Sequence, residues 1–484
     1  MEDQTEAIEA RSEQPAPRTA LVLTVVLLGI MLAAVDTTIV VLALPVMRGA
    51  LHTGMASLIW VIMAYLLTVT VLSTQVGRLG DIYGRVRMYN LGFLVFTVGS
   101  LLCGLSQTAT QLIVFRVVQG VGGALIASNS GAIIADAVPP ESRGRAYGIT
   151  SIGWNVGAVL GILLGGVIIT FFGWRDIFFI NVPLGAVALW IATRTLREKG
   201  RRASHQLDIV GVVLLCGGLF LTLLALTQSA SSGWTSAGVL ELIAGVLTLT
   251  GFAFWERQVP EPVLQLTILR QRVLAASVLA AFFQGLGGFA VLFLVIMYLQ
   301  GVRGLSPFDA SLLLVPGFVL GGVIAPYAGR LSDRFGARVP ASIGLLIQIV
   351  SFLIYSSLGL TTPLAVVVVA ALANGIGSGF FFPANNSAVM ANAPSHQYGV
   401  ASGLLRTFAN VGMVASFAVA LVAATAAIPR AYVFAIFLGV TRLSGVLGKA
   451  FVSGMHNALL LAAVLIAVAL TLSVLRGKEM RDGS

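Results

Sequence analysis

The chain has 484 residues, 57% of them hydrophobic and 10% charged, with a formal net charge of +10. A soluble protein carries about 25% charged residues, so most of this surface faces lipid and a water-soluble globular fold is excluded. The basic excess forms no tract beside aromatic platforms and falls between apolar runs, which fits membrane topology and argues against nucleic acid as a partner.

Residues 1–19 are polar and acidic and read as a cytoplasmic tail. The apolar run behind them is too long for a cleavable signal, so it is expected to stay as the first span. A membrane-spanning helix takes about 20 mostly apolar residues. Fourteen stretches qualify, near 20–45, 56–76, 88–107, 110–135, 146–171, 177–195, 209–228, 238–255, 276–300, 309–329, 340–359, 364–390, 400–425 and 455–475, and 476–484 is the second tail. With the N-terminus inside, 21 of the 29 Lys and Arg residues fall in cytoplasmic segments and 6 in outer ones, while Arg116 and Arg406 stay within spans. This is the positive-inside pattern, with both termini cytoplasmic. The apolar stretch "AYVFAIFLGV" (431–440) is too short to span and lies between Arg430 and Arg442, so 426–454 reads as an outer loop resting on the interface.

The first span carries "LAAVDTTIVVLALP" (32–45), which places Asp36 in hydrocarbon. A charge at the bilayer centre costs roughly 2.5–3.5 kcal/mol on insertion scales, so such carboxylates face a cavity or a partner. Arg116 in the fourth span is the natural partner. At ~1.5 Å rise per residue, both lie in the outer half at similar depth. Burial disfavours a carboxylate and a guanidinium favours it, and a site where the two compete can take up and lose a proton. A static pair that only orients helices is the competing reading. Gln119, one turn from Arg116, is placed to steady it.

"GRLGDIYGRVR" (77–87) follows the second span and "GRLSDRFGAR" (329–338) follows the tenth. The glycines permit tight turns, and the charged residues can pair across neighbouring helix ends. Asp81 with Arg85, and Asp333 with Arg334, are candidate conformational latches. Leaving out spans seven and eight, each copy follows the second helix of a six-helix set. The expected fold is therefore all-α and polytopic: two parallel six-helix bundles, 20–195 and 276–475, with a two-helix insert, 209–255, between them. Parallel repeats of this kind place a substrate site at their interface near mid-membrane.

Later polar residues are candidates for that site: Gln119, Asn155, Gln284, Tyr298, Asn385 and Asn386. Interhelical hydrogen bonding is the alternative role for each. Gly157, Gly161 and Gly165 give the fifth span a small-residue face on which the halves can rock. Arg406 lies near the inner end of span thirteen, where it either snorkels or locks an inner gate. Ser306 and Asp309 have capping-box spacing and mark a helix start. "GVLGKAF" (445–451) lacks the glycine and hydroxyl of a phosphate loop, so ATP is not an expected partner. The two cysteines, Cys103 and Cys216, and the four histidines form no metal or nucleophile constellation, so neither cofactor nor enzyme activity is expected.

Four stretches together resemble the major facilitator superfamily, and within it the fourteen-span drug:proton antiporter branch. They are "GRLGDIYGRVR", "LAAVDTTIVVLALP", "RVVQGVGGA" (116–124) and "FGWRDIFFINVPLG" (172–185). The resemblance covers nearly the whole chain. It departs at Val41, where the family has Asn, and at Ile162 in "GAVLGILLGG" (157–166), where the antiporter motif has Pro. The resemblance implies a proton-coupled exporter of amphipathic drugs or related small molecules, cationic ones among them, in the cytoplasmic membrane. In that role Asp36 carries the proton and Arg116 tunes it. The implied partners are a small-molecule substrate, protons and membrane lipid, and no oligomer is required. A facilitator or importer on the same fold, to which Ile162 points, and a non-transporting sensor are the alternatives.

Overall fold

A computed structural model describes residues 17–138, 143–198, 208–264, 269–393, 398–426 and 445–477. The stretch 431–440, most of both tails, His205 and His396 lie outside the described residues. Helices α1 (Pro17–Leu51), α2 (Met55–Tyr83), α3 (Arg85–Leu105), α4 (Ala109–Ala137), α5 (Arg143–Phe171) and α6 (Asn181–Thr195) come first, with a helical turn, Asp176–Phe179, ahead of α6. A hairpin of α7 (Ile209–Ser232) and α8 (Ser236–Trp255) follows. The rest is α9 (Arg272–Met297), α10 (Pro307–Phe335), α11 (Arg338–Ser356), α12 (Leu364–Asn392), α13 (Tyr398–Ala426) and α14 (Gly445–Leu475). Thirteen of these are long and apolar enough to cross a membrane. Helix α2 makes a fourteenth when its two parts, bent by 54° between Ser73 and Gln75, are counted together.

Local chemistry explains where the helices begin and turn. Thr108, Asp208, Thr235 and Ser306 each accept a hydrogen bond from the backbone N–H three residues on, which satisfies an otherwise unpaired donor at a helix start. The Ser306–Asp309 spacing acts as a helix start, as expected, with Ser306 also donating to the Asp309 carboxylate at 2.7 Å. The repeated motif explains its own glycines. Gly84 (φ 113°) separates α2 from α3, and Gly336 (φ 87°), at the equivalent position of the second copy, closes α10. A side chain at either position is strained.

The observed helices are longer than hydropathy predicts at four places. The charged motif residues 77–83 and 329–335 form the last turns of α2 and α10 and not loops. Helix α1 runs on to Leu51, so Arg48 is buried within it and not in an outer loop. Helix α14 starts at Gly445, so residues 445–454, with Lys449, are helical where a loop was expected, and His456 sits in the same helix.

Packing repeats as the motif does. Helix α1 packs on α5, α2 on α4, and α3 on α4 and α6; α9 packs on α13, α10 on α12, and α11 on α12 and α14. Glycines allow these approaches: a Cβ at Gly99 would meet the Gln119 backbone at 2.7 Å, and one at Gly321 the Gly375 carbonyl at 2.8 Å. The two sets touch chiefly through α5 with α10 and α2 with α13. Helix α7 lies against both α2 and α13. Trp60 Nε1 on α2 donates to Thr227 on α7 at 3.3 Å, and Asp208 N donates to Gln75 at 3.2 Å. Arg78 grips the segment after α8 through the carbonyls of Glu261 (2.8 Å) and Pro262 (2.6 Å). The Glu256 carboxylate holds the same segment, accepting from Val263 N at 3.0 Å and Leu264 N at 2.9 Å.

Candidate functional site in the first six helices

Asp36 and Arg116 are 0% and 1% exposed, so the membrane's hydrocarbon reaches neither. Arg116 Nη1 on α4 donates to Asp36 Oδ2 on α1 at 2.7 Å. The same nitrogen donates to Gln119 Oε1 at 2.6 Å, and Nε donates to the Val61 carbonyl at 3.0 Å. The Tyr65 ring lies under the guanidinium, 4.2 Å from ring centre to Cζ. Opposite charge, hydrogen bonds and a π face together offset the loss of water around the arginine.

The second carboxylate oxygen has its own donors. Gln119 Nε2 donates to Asp36 Oδ1 at 2.9 Å, and Asn181 Nδ2 donates to it at 3.2 Å. Both amides also donate to Ser100 Oγ, each at 3.2 Å, and Ser100 donates to the Phe178 carbonyl at 3.0 Å. Cys103 Sγ is 3.6 Å from Gln119 Oε1. Five side chains from α1, α3, α4 and α6 thus close one polar cluster inside an apolar bundle. Asn181 reaches it because it opens α6, where Pro183 is tolerated: N–H groups of the first turn have no partner in the helix. Gly99 brings the backbone beside Ser100 against Gln119.

Ser100 and Asn181 were not among the expected site residues. Their signal was depth. Ser100 sits near the C-terminal end of α3 and Asn181 at the start of α6, at the level that pairs Asp36 with Arg116.

The other candidates are scattered. Asn155 lies where α5 meets α10, beside Gly322. Gln284 is buried in α9. Tyr298 is fully buried and donates to the Gly359 carbonyl at 2.7 Å, while Arg303 donates to its hydroxyl at 3.1 Å. Asn385 is buried and donates to the Ser277 carbonyl at 3.1 Å, and Asn386 is exposed. Gly157, Gly161 and Gly165 pack on α1, within the first bundle; the glycine of this helix that faces α10 is Gly166, against Ser311 and Phe308.

Where α2 meets α3 and the end of α4, Arg85 joins two acids, Asp81 at 2.7 Å and Asp136 at 2.8 Å. Glu198 adds a carboxylate that accepts from the Arg87 backbone at 3.3 Å. Arg334 is exposed, and the Asp333 side chain lies outside the described residues. Contacts cross between the bundles at two levels. Arg406 donates to the Ala127 carbonyl at 3.2 Å, and towards the C-terminal ends of α1 and α5 Gln300 donates to the Leu42 carbonyl at 3.1 Å and Phe308 N to Thr170 at 3.2 Å.

Comparison with known proteins places this architecture. The family model described as Major Facilitator Superfamily matches residues 26–417. The chain is 32% identical over 391 residues to the tetracenomycin C resistance and export protein of Streptomyces glaucescens, covering 80% of this chain and 72% of that one. It is 30% identical over 392 residues to the riboflavin transporter RibZ of Clostridioides difficile, covering 81% and 85%. Among solved structures, a bacterial homologue of the human lysosomal transporter Spinster, inward-facing and occupied, superposes with a TM-score of 0.69 at 19% identity, covering 96% of this chain and 98% of that one. The all-helical fold, the repeated packing and these relatives agree: the chain is a multi-pass membrane transporter of small molecules, not an enzyme, and it belongs to the Major Facilitator Superfamily.

Proposed function

We propose that this transporter is a proton-coupled exporter of amphipathic, in part cationic, compounds in the cell membrane, with both termini cytoplasmic. The observation that carries this reading is the Asp36–Arg116 pair, an ionisable carboxylate sealed among donors inside one bundle. Ionisable residues within spans are rare and mark substrate or ion pathways, proton relays among them. Residues 20–195 and 276–475 are the two bodies that rock, and 209–255 is the insert. Asp36 takes a proton when the outer side opens and releases it when the inner side opens. A membrane potential adds ~2.3 kcal/mol per charge per 100 mV to that step. Asp81, Arg85 and Asp136 latch the inner side of the first bundle, and Asp333 with Arg334 is the corresponding pair of the second. Asn155, at the seam between the bundles, is the first residue to test for substrate contact. The export activity of the Streptomyces relative supports the direction of transport.

Uptake by facilitation is the second reading. Helix α5 runs without a proline from Arg143 to Phe171, with Ile162 fully buried at the motif position. Proteoliposomes under an imposed pH gradient decide between them, with ethidium and riboflavin as probes. Gradient-driven exchange that is lost in Asp36→Asn while passive exchange remains supports coupling. Transport indifferent to the gradient in the wild type supports facilitation.

A further inference from the structure

We propose that Asn181 is an amide rotor that gives Asp36 a hydrogen-bond partner in both of its protonation states; this rests on the proton-coupling reading above and deepens it. Three groups donate to the carboxylate, Arg116 on Oδ2 and Gln119 with Asn181 on Oδ1. A proton entering the site bonds to Oδ1, because Oδ2 is taken by the guanidinium at 2.7 Å. The new O–H needs an acceptor, and a buried hydroxyl without one is costly.

Arg116 has no acceptor atom. Gln119 cannot turn, because its Oε1 accepts from Arg116 at 2.6 Å, and reversal would set its NH2 against the guanidinium. When Asp36 lets go, Gln119 Nε2 still has Ser100 Oγ at 3.2 Å. Asn181 differs from both. Its Nδ2 serves Asp36 and Ser100, while its Oδ1 is buried with no hydrogen-bond partner among the described residues. Buried polar atoms without partners are rare and call for an explanation.

A half-turn of the amide supplies one. It carries Oδ1 to the place of Nδ2, where it accepts from the Asp36 O–H. The turn gives up the bond to Ser100 Oγ, whose own proton is held by the Phe178 carbonyl, and moves both N–H donors to the unpartnered side, so the observed orientation is the one the carboxylate state keeps and only the new O–H bond draws the amide over. One O–H bond forms on Asp36, with the proton drawn from water, and breaks when the proton returns to water; no other covalent bond changes. Asn181 is therefore a positioning residue for the proton.

Infrared difference spectra of the full chain in lipid, acid minus alkaline, test this. The expected result is a carboxylic C=O band that is absent in Asp36→Asn. An asparagine side-chain band should accompany it and shift when the protein is grown with [13C]asparagine. In Asn181→Leu the companion band disappears. At the pH giving half of the wild-type acid band, the variant's acid band is about fivefold weaker, since the acid loses its acceptor while the carboxylate keeps two donors. An acid band without the labelled companion, or one undiminished in Asn181→Leu, overturns the rotor alone. The companion is read in the wild type, so the test stands even if the variant fails to fold. A wild type with no Asp36 band overturns proton coupling itself, and the rotor with it.

Discussion

Arg116 and Asp36 meet at 2.7 Å inside the first bundle, and each is what keeps the other from being an isolated charge in a dry interior. Removing one partner leaves the second uncompensated. Arg116→Leu should lower stability by roughly 3–5 kcal/mol, and Asp36→Asn combined with Arg116→Gln should recover part of it. Thermal unfolding in detergent, compared across the single and double variants, measures the difference. Equal losses in the single and double variants would contradict the pairing.

Arg85 stands between Asp81 and Asp136 with all three side chains partly exposed. Solvent-screened pairs contribute about 0–1 kcal/mol, so Asp136→Asn should barely alter the unfolding temperature. Its effect should fall on the conformational cycle, as a severalfold drop in transport rate at saturating probe. Spin labels at the Asp136 end of α4 and the Tyr398 end of α13 should show a broader distance distribution in the variant.

A Cβ at Gly161 would meet Thr38 Oγ1, and the Val35 carbonyl at 2.8 Å, whereas one at Gly251 has nothing within 4 Å. Gly161→Val should therefore destabilise by about 1–3 kcal/mol through overpacking against α1. Gly251→Ala should be neutral or slightly stabilising. Paired unfolding curves check the contrast, which separates a packing face from general intolerance of glycine replacement.

Glu256, just beyond α8, is pushed up from 4.5 to about 7, first by burial; the backbone N–H groups of Leu264 and Val263 and the charge of Arg78 oppose the rise, and Asp208 adds to it. A carboxyl that holds its proton more tightly folded than unfolded lends stability at low pH and loses it as pH climbs. The wild type should therefore lose ground to Glu256→Gln between pH 4.5 and about 7, by about 1–3 kcal/mol, and hold steady above that. Unfolding temperatures of both proteins across that range test the sign.

Much of this molecule was legible from residue order alone. Fourteen apolar runs and two copies of one motif carried the fold, because lipid demands long helices and a repeat demands a repeated packing. Helix ends were missed where charge interrupts hydropathy: Asp81 and Arg78 sit in helical turns that continue past the hydrocarbon, and Lys449 lies on the first turns of α14. Within the site, depth paired Asp36 with Arg116 because both charges are rare in spans. Depth applied equally to Ser100 and Asn181, but polar neutral residues are common in spans and gave no comparable alarm. The contacts of the expected substrate residues were not legible, because position along a helix does not say which neighbour its face will meet. Tyr298, for example, hydrogen-bonds the turn after α11.

The hairpin's ties to α2 through Trp60, Gln75 and Arg78 have a practical reach. Helix α7 carries Cys216 on an exposed face, while Cys103, the other thiol of the chain, is enclosed beside Gln119. Helix α7 is one of the membrane-crossing helices, so that exposed face meets lipid, and an apolar thiol reagent carried in the bilayer reaches Cys216 ahead of Cys103. A dye so attached, with a second on α13, then turns each transport cycle into an optical distance record.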